Sequence, residues 1–411
     1  MVLAGAPFLG DLLVRAAWSQ VLALPAAWWL LEETVSGERA FKSPALAGVV
    51  TAVLWLIHAP TAVMTVALAG LGALLRLGLR RTVLFAVPWI AVAAGLTAWH
   101  WMPLLSEMPL TAAREGLTGG IFRITRNWLG APHPHAPALN LAYSAAAVVL
   151  AAATAFALRQ QRDGGRVVRA ALAAVALALT TALVVPLAGL GLPLEWLQFP
   201  WRWLTPAALL LAVPVARAVR GRPAWMLVWL SPAVLLPVPS PVAPPSLGAG
   251  AGWPEIGAAV ASFGGNPLAV DAVQNRPVWY GGLARELHAF GRSRRVLAEP
   301  PAAVEVERWR PLDRVVHVES AGRCAVRLRL LRYPWWRVTV DGRPATVLEE
   351  GAAVAVAVPA GAHRVTVRWG GNPLSAVGLA VSGAVVLALL WWRYAALRRR
   401  RPGVSGGPGR P

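Results

Sequence analysis

Long apolar runs separated by short arginine clusters constrain this chain more than anything else in its sequence. Runs able to cross a bilayer lie near residues 12–31, 44–57, 59–75, 82–101, 142–158, 168–190, 204–219, 224–240 and 374–394. Only 14% of the 411 residues are charged, against roughly 25% in a soluble domain. The pattern therefore predicts an α-helical polytopic membrane bundle of about nine spans. Residues 44–75 are too long for one crossing without strong tilt, and His58-Ala59-Pro60 interrupts them where proline breaks a helix, so they are read as two short spans.

The formal net charge of +20 would suggest a nucleic-acid partner if the chain were soluble. Arginine supplies nearly all of it, with Lys42 the single lysine, and the charge sits in the connectors. Arg39 and Lys42; Arg76, Arg80 and Arg81; Arg159, Arg162, Arg166 and Arg169; Arg217, Arg220 and Arg222; and Arg398 to Arg401 all fall on one side of the nine-span arrangement. That side is cytoplasmic by the positive-inside rule, so membrane lipids are the expected partner and nucleic acid is not. Met1 to Gly10 carries no Lys or Arg, and Asp11 follows, which is unlike a cleaved signal; the chain reads as starting partway through a longer protein. With Cys324 as the single cysteine, no intramolecular disulfide is expected.

The organisation read from these signals is a helical bundle over 1–240, a Pro/Gly-rich linker over 241–255, a β-rich extracytoplasmic domain over 256–372, a membrane helix over 373–395 and a basic cytoplasmic tail over 396–411. From Arg314 onward the pattern has period two: Val326, Leu328 and Leu330; Val338 and Val340; Val354, Val356 and Val358; Val365, Val367 and Trp369. Asp341-Gly342 and Pro359-Ala360-Gly361 read as turns between antiparallel strands of a small sandwich.

Placed by depth, Asp11, Arg15, His58, His100, Glu107, Glu195, Gln198 and Arg202 share the outer ends of the spans. Ionisable groups beside hydrocarbon are costly, so a common layer is read either as a polar pocket or as span ends that are simply solvated. Gln198-Phe199-Pro200-Trp201-Arg202-Trp203 brings an arginine to interfacial depth, where it either holds a phosphate or snorkels within an aromatic belt. Trp99-His100-Trp101-Met102-Pro103 leaves the fourth span in a similar way, with Glu107 beyond it as a general base, a metal ligand or a solvated acid. The candidate lipid-phosphate or substrate pocket is thus Asp11, Arg15, His58, Trp101, Glu107, Gln198, Trp201 and Arg202, with no catalytic residue assigned. His133-Pro134-His135, with proline between the histidines and no cysteine or acid nearby, reads as loop; no metal site or cofactor is assigned, and a divalent metal stays open. Phosphate-cradling loops, nucleophile elbows and HExxH helices are absent from the sequence.

The segment Arg332-Tyr333-Pro334-Trp335-Trp336-Arg337-Val338-Thr339-Val340-Asp341-Gly342-Arg343-Pro344, with Pro359-Ala360-Gly361-Ala362-His363, resembles the C-terminal pattern of large bacterial membrane proteins related to type C glycosyltransferases. Gly10-Asp11-Leu12-Leu13-Val14-Arg15, the His58-Ala59-Pro60 break, Trp101-Met102-Pro103 with Glu107, and Gln198 to Arg202 resemble motifs of the membrane family named for a 6-pyruvoyl-tetrahydropterin-synthase-related domain. The resemblance implies a type C (GT-C-like) fold in the bacterial inner membrane, with the C-terminus cytoplasmic and the β-domain extracytoplasmic. It implies transfer of a sugar from a polyprenyl-phosphate donor to an envelope glycan acceptor at the outer face. The alternative is a non-catalytic envelope protein whose β-domain binds glycan or a protein partner. Trp335 stands where the family commonly has glycine, and Gln20 where an acid follows the arginine motif. The family's catalytic acid belongs to a loop expected before residue 1.

Overall fold

The computed structural model describes residues 18–35, 43–108, 137–159, 164–190, 200–219, 295–349, 351 and 353–399. Its helices are α1 (Trp18–Val35), α2 (Pro44–Leu96), α3 (Ala98–Glu107), α4 (Pro137–Arg159), α5 (Gly164–Ala178), α6 (Val184–Gly189), α7 (Leu204–Val219), preceded by a 3-10 turn at Pro200–Trp203, and α8 (Pro373–Arg399). Its strands are β1 (Val296–Glu299), β2 (Ala303–Arg310), β3 (Asp313–Ser320), β4 (Cys324–Leu331), β5 (Trp336–Val340), β6 (Arg343–Pro344), β7 (Ala353–Val358) and β8 (Gly361–Trp369). The chain divides into two compact units.

The nine-span bundle expected from the apolar runs, which the resemblance made type C-like, does not form among the described residues. Among the described residues there are eight α-helices, and two of them, α2 and α8, are long and apolar enough to cross a membrane. An apolar run records only that a segment avoids water, and packing against other helices satisfies it as well as lipid does. The run at 204–219 shows this: Leu204, Ala207, Leu209, Leu210 and Leu211 of α7 are all buried, against Leu24, Ala27 and Leu31 of α1, Leu54, Met64 and Leu68 of α2, and Leu172, Ala173 and Ala176 of α5. The run at 168–190 becomes the short α5 and α6, and the run at 224–240 lies outside the described residues.

The three runs between 44 and 101 form one 53-residue helical stretch, α2, followed by α3. A straight helix of that length would be about 80 Å long. Instead the backbone leaves helical geometry at His58 (φ −157°, ψ 93°) and at Gly78 (φ 71°, ψ 167°), and the stretch folds back on itself. Gly78 supplies a left-handed φ that a side chain would oppose. The return brings the Trp89 indole to donate to Thr51 Oγ1 at 2.8 Å, and Gly48 lies so close to Trp89 and Val92 that an added Cβ would meet them at 2.6–2.8 Å.

Polar ties close both ends of α1. Near its start, buried Gln20 donates to Thr205 Oγ1 on α7 at 3.0 Å. A neutral amide there forms the tie without burying a charge. At its end, buried Arg169 of α5 donates to Glu32 at 2.6 Å and Arg76 donates to the Thr34 carbonyl at 3.3 Å, which puts cations at a helix C-terminus.

The same unit holds α8 through small residues. Gly378 packs against the Ala98 and Trp99 backbone, where an added Cβ would stand 2.5 Å from the Ala98 carbonyl oxygen. Ser382, four residues on, donates to the Gly95 carbonyl at 2.9 Å and accepts from the Trp99 amide at 3.2 Å. Small residues at i and i+4 let helix backbones approach closely.

The second unit is two antiparallel sheets, one of three strands in the order β1-β4-β7 and one of five in the order β2-β3-β8-β5-β6. Val316, Val318, Val338, Val365 and Val367 of the larger sheet share one core with Cys324, Val326, Leu328, Val354, Val356 and Val358 of the smaller. Arg337 and Arg364, at alternate positions, are exposed. Asp341 (φ 51°) and Gly342 (φ 78°) make the two-residue turn from β5 to β6, the doubly left-handed geometry that an Asp-Gly pair suits. At one end of the core the buried Arg314 guanidinium lies over the rings of Trp309 (5.3 Å) and Trp336 (5.0 Å) and donates to the Pro311 carbonyl at 2.7 Å. Burial lowers its pKa and Asp313 partly opposes this.

Candidate functional site

Of the eight sequence candidates, Asp11, Arg15 and Gln198 lie outside the described residues, and Trp201 is placed only by its backbone in the 3-10 turn. His58 and Trp101 make hydrogen bonds within the α2–α3 stretch, and Arg202 is buried. His58 is extended, and its Nδ1 accepts from the Thr61 amide (3.3 Å) and lies 2.7 Å from the Thr61 hydroxyl, so the imidazole caps the helical segment that restarts at Ala59-Pro60. Ser43 caps the first segment in the same way, accepting from the Leu46 amide at 3.2 Å with Pro44 behind it. Trp101 donates its indole N–H to the Ala94 carbonyl at 2.8 Å, which ties α3 to the end of α2. Arg202 is 8% exposed, next to buried Trp203 and Leu204.

Glu107 is the candidate whose partners form a polar cluster, all within the second unit. Asn372, 6% exposed, donates through Nδ2 to Ser106 Oγ at 2.7 Å and to Glu107 Oε1 at 3.0 Å, and approaches the Pro103 carbonyl at 3.4 Å. Its Oδ1 accepts from the Leu374 amide at 2.9 Å, so the same side chain caps α8 ahead of Pro373. Tyr333 is half-buried near Glu107; burial pushes its phenol pKa up, and the Glu107 charge pushes it further. The Tyr333 ring meets Trp369 edge-on at 6.5 Å, and Trp369 meets Trp336 at 4.9 Å. The Trp335 carbonyl accepts from the Gly370 amide at 2.8 Å, a close approach in which an added Cβ would meet Arg337 Nε at 2.7 Å. The buried Trp335 indole N–H has no acceptor among the described residues.

Chemically, this cluster offers a carboxylate fixed through one oxygen by an amide, a neutral phenol, and a row of aromatic edges. It can accept hydrogen bonds from hydroxyl or amine groups and pack against an apolar ring face. Sequence reading reached Glu107 but missed Asn372 as its hydrogen-bond partner and Tyr333 as the phenol its charge acts on. The signal for Asn372 was legible, since Gly370-Gly371-Asn372-Pro373 before an apolar helix is a capping sequence. Nothing local linked it to a glutamate 265 residues away. Among the described residues, no group of three His, Cys, Asp or Glu side chains could hold a metal ion.

Comparison of the chain with protein-family models, with curated proteins and with solved structures gives no match.

Proposed function

We propose that this is a membrane-inserted envelope protein whose β-sheet unit is a binding module for an envelope glycan or a protein partner. The supporting observation is α8: Leu379, Leu387 and Trp391 are 66%, 68% and 70% exposed, an apolar surface that needs lipid rather than water. Its 27 residues span about 40 Å, enough for a hydrocarbon core of roughly 30 Å. Trp391, Trp392 and Tyr394 then form an interfacial belt, and Arg393, Arg398 and Arg399 face the cytoplasm. In that orientation the strands preceding α8 lie outside the cytoplasm. Two experiments test this. The protein should resist alkaline carbonate extraction, and in intact cells an impermeant maleimide should label Glu349→Cys but not Arg220→Cys. Cys324 is buried and contributes little background. Extraction into the soluble fraction, or protection of position 349, refutes the reading.

A second reading, sugar transfer from a polyprenyl-phosphate donor, has Glu107 on its side, because a carboxylate oriented by Asn372 is suited to activate an acceptor hydroxyl. On this reading Glu107→Gln keeps donor binding and loses transfer by about a hundredfold or more. Unchanged transfer by that variant removes it.

A further inference from the structure

We propose that His363 is a proton-operated latch holding the Asp341-Gly342 turn against the Pro359-Ala360-Gly361 turn, closed while the imidazole carries both ring protons and loosened when it loses one. Its Nδ1 lies 2.6 Å from Asp341 Oδ2 and its Nε2 lies 3.1 Å from the Ala360 carbonyl oxygen. A carboxylate and a carbonyl have no proton to give, so both ring nitrogens must donate. Only the imidazolium can do that, and either neutral tautomer leaves one acceptor facing a ring lone pair.

The rest of the turn is built around the same carboxylate. Asp341 Oδ1 accepts from the Arg364 amide at 2.7 Å, and the Asp341 amide donates to the Arg364 carbonyl at 2.9 Å. The turn also brings Arg343 near this carboxylate. Arg364, next along β8, sends its guanidinium to Glu307 of β2 at 2.9 and 3.0 Å, and Glu307 also bonds His317 of β3 at 2.8 Å. On β3 the register partner of His363 is Val318, so the neighbouring His317 and Glu319 fall on the opposite face of the sheet. Of these groups, Asp341 is the acid that bonds the ring.

What the latch controls is the segment beyond it. Arg343-Pro344 pairs with β5 in the larger sheet, while Val347 bridges Val356 and the Leu348 amide donates to Ala355 in the smaller one. Residues 343–348 therefore cross from one sheet to the other, and His363 pins the start of the crossing. The histidine pKa is raised, first by Asp341 and then by the Ala360 carbonyl, while the Asp341 pKa is lowered, first by the Arg364 amide and then by His363. The latch is thus fully engaged below the ordinary histidine pKa and is lost as pH rises through the raised one. It is also lost in strong acid, once Asp341 protonates.

Amide hydrogen exchange on the full chain in detergent, from pH 5.5 to 8.5 and normalised for intrinsic exchange, tests the proposal. Protection of residues 341–349 should fall by up to about tenfold per pH unit between the ordinary histidine pKa and the raised one, and level off above it, as loss of one coupled proton requires. Protection of β4 should not change, His363→Gln should abolish the dependence, and His317→Gln should retain it. A flat profile in the wild type, or the same slope in His363→Gln, overturns the proposal. If His363→Gln does not fold, the His363 ring titration followed by NMR decides. Asp341→Asn must lower its pKa, and an unchanged pKa refutes the latch.

Discussion

Glu307 shows what one carboxylate contributes when three strands converge on it. Hydrogen bonds from Arg364 first, and from His317 second, hold its pKa down to about 2. Because the folded pKa is depressed, the stability it contributes is present in full above the ordinary glutamate range and is lost as pH falls from there toward 2. Glu307→Gln should therefore destabilise the sheets at pH 7 and leave them nearly unchanged against wild type below pH 2. Urea midpoints across pH, read by tryptophan fluorescence, check this, and an equal deficit at every pH contradicts it. Neither the pairing nor its strength was legible in the sequence, because Glu307 and Arg364 meet only through the register of β2, β3 and β8. His58 is the converse case. Its place in an apolar run marked a break, and the structure adds that its ring caps the restarted segment.

At the scale of elements, the strands were the most legible part of this chain, since alternation in a half-buried strand follows from side chains pointing to opposite faces. Val338, Val356 and Val365 share a core, and Arg337 and Arg364 are exposed, as that period requires. Helices were legible as apolar and illegible as spans. Hydrophobic composition does not distinguish the exposed apolar surface of α8 from the protein-packed surface of α7. The docking of α8 through Gly378 and Ser382 gives a direct prediction. Gly378→Leu places a side chain where the Ala98 carbonyl already stands within 2.5 Å of an added Cβ, and should cost about 1–3 kcal/mol through overpacking. Gly383→Leu, at a position with nothing within 4 Å, should cost little. Thermal unfolding of the two variants in detergent should differ accordingly, and equal midpoints would mean that the seam does not hold the helix.

At the scale of the molecule, the two units have separate cores, so damage to one should not spread. Val356 is buried among valines of both sheets, and a buried carboxylate there has no partner. Val356→Asp should unfold the sheets, removing a burial worth about 1.5–3 kcal/mol and adding the cost of a charge. Limited proteolysis of membranes should then cut within 296–369 and spare α1, α2 and α7; protection of the strands, or loss of the helices, contradicts this independence. The sequence by itself determined where this chain avoids water, where strands alternate, where the Asp341-Gly342 turn falls, and where the α2 stretch breaks at His58, because each depends on residues within a few positions of one another. Tertiary structure alone decided that α7 packs against protein, that Glu107 meets Asn372, and that His363 meets Asp341. Those outcomes depend on which surfaces segments far apart in the chain present to one another, and local periodicity carries no record of that.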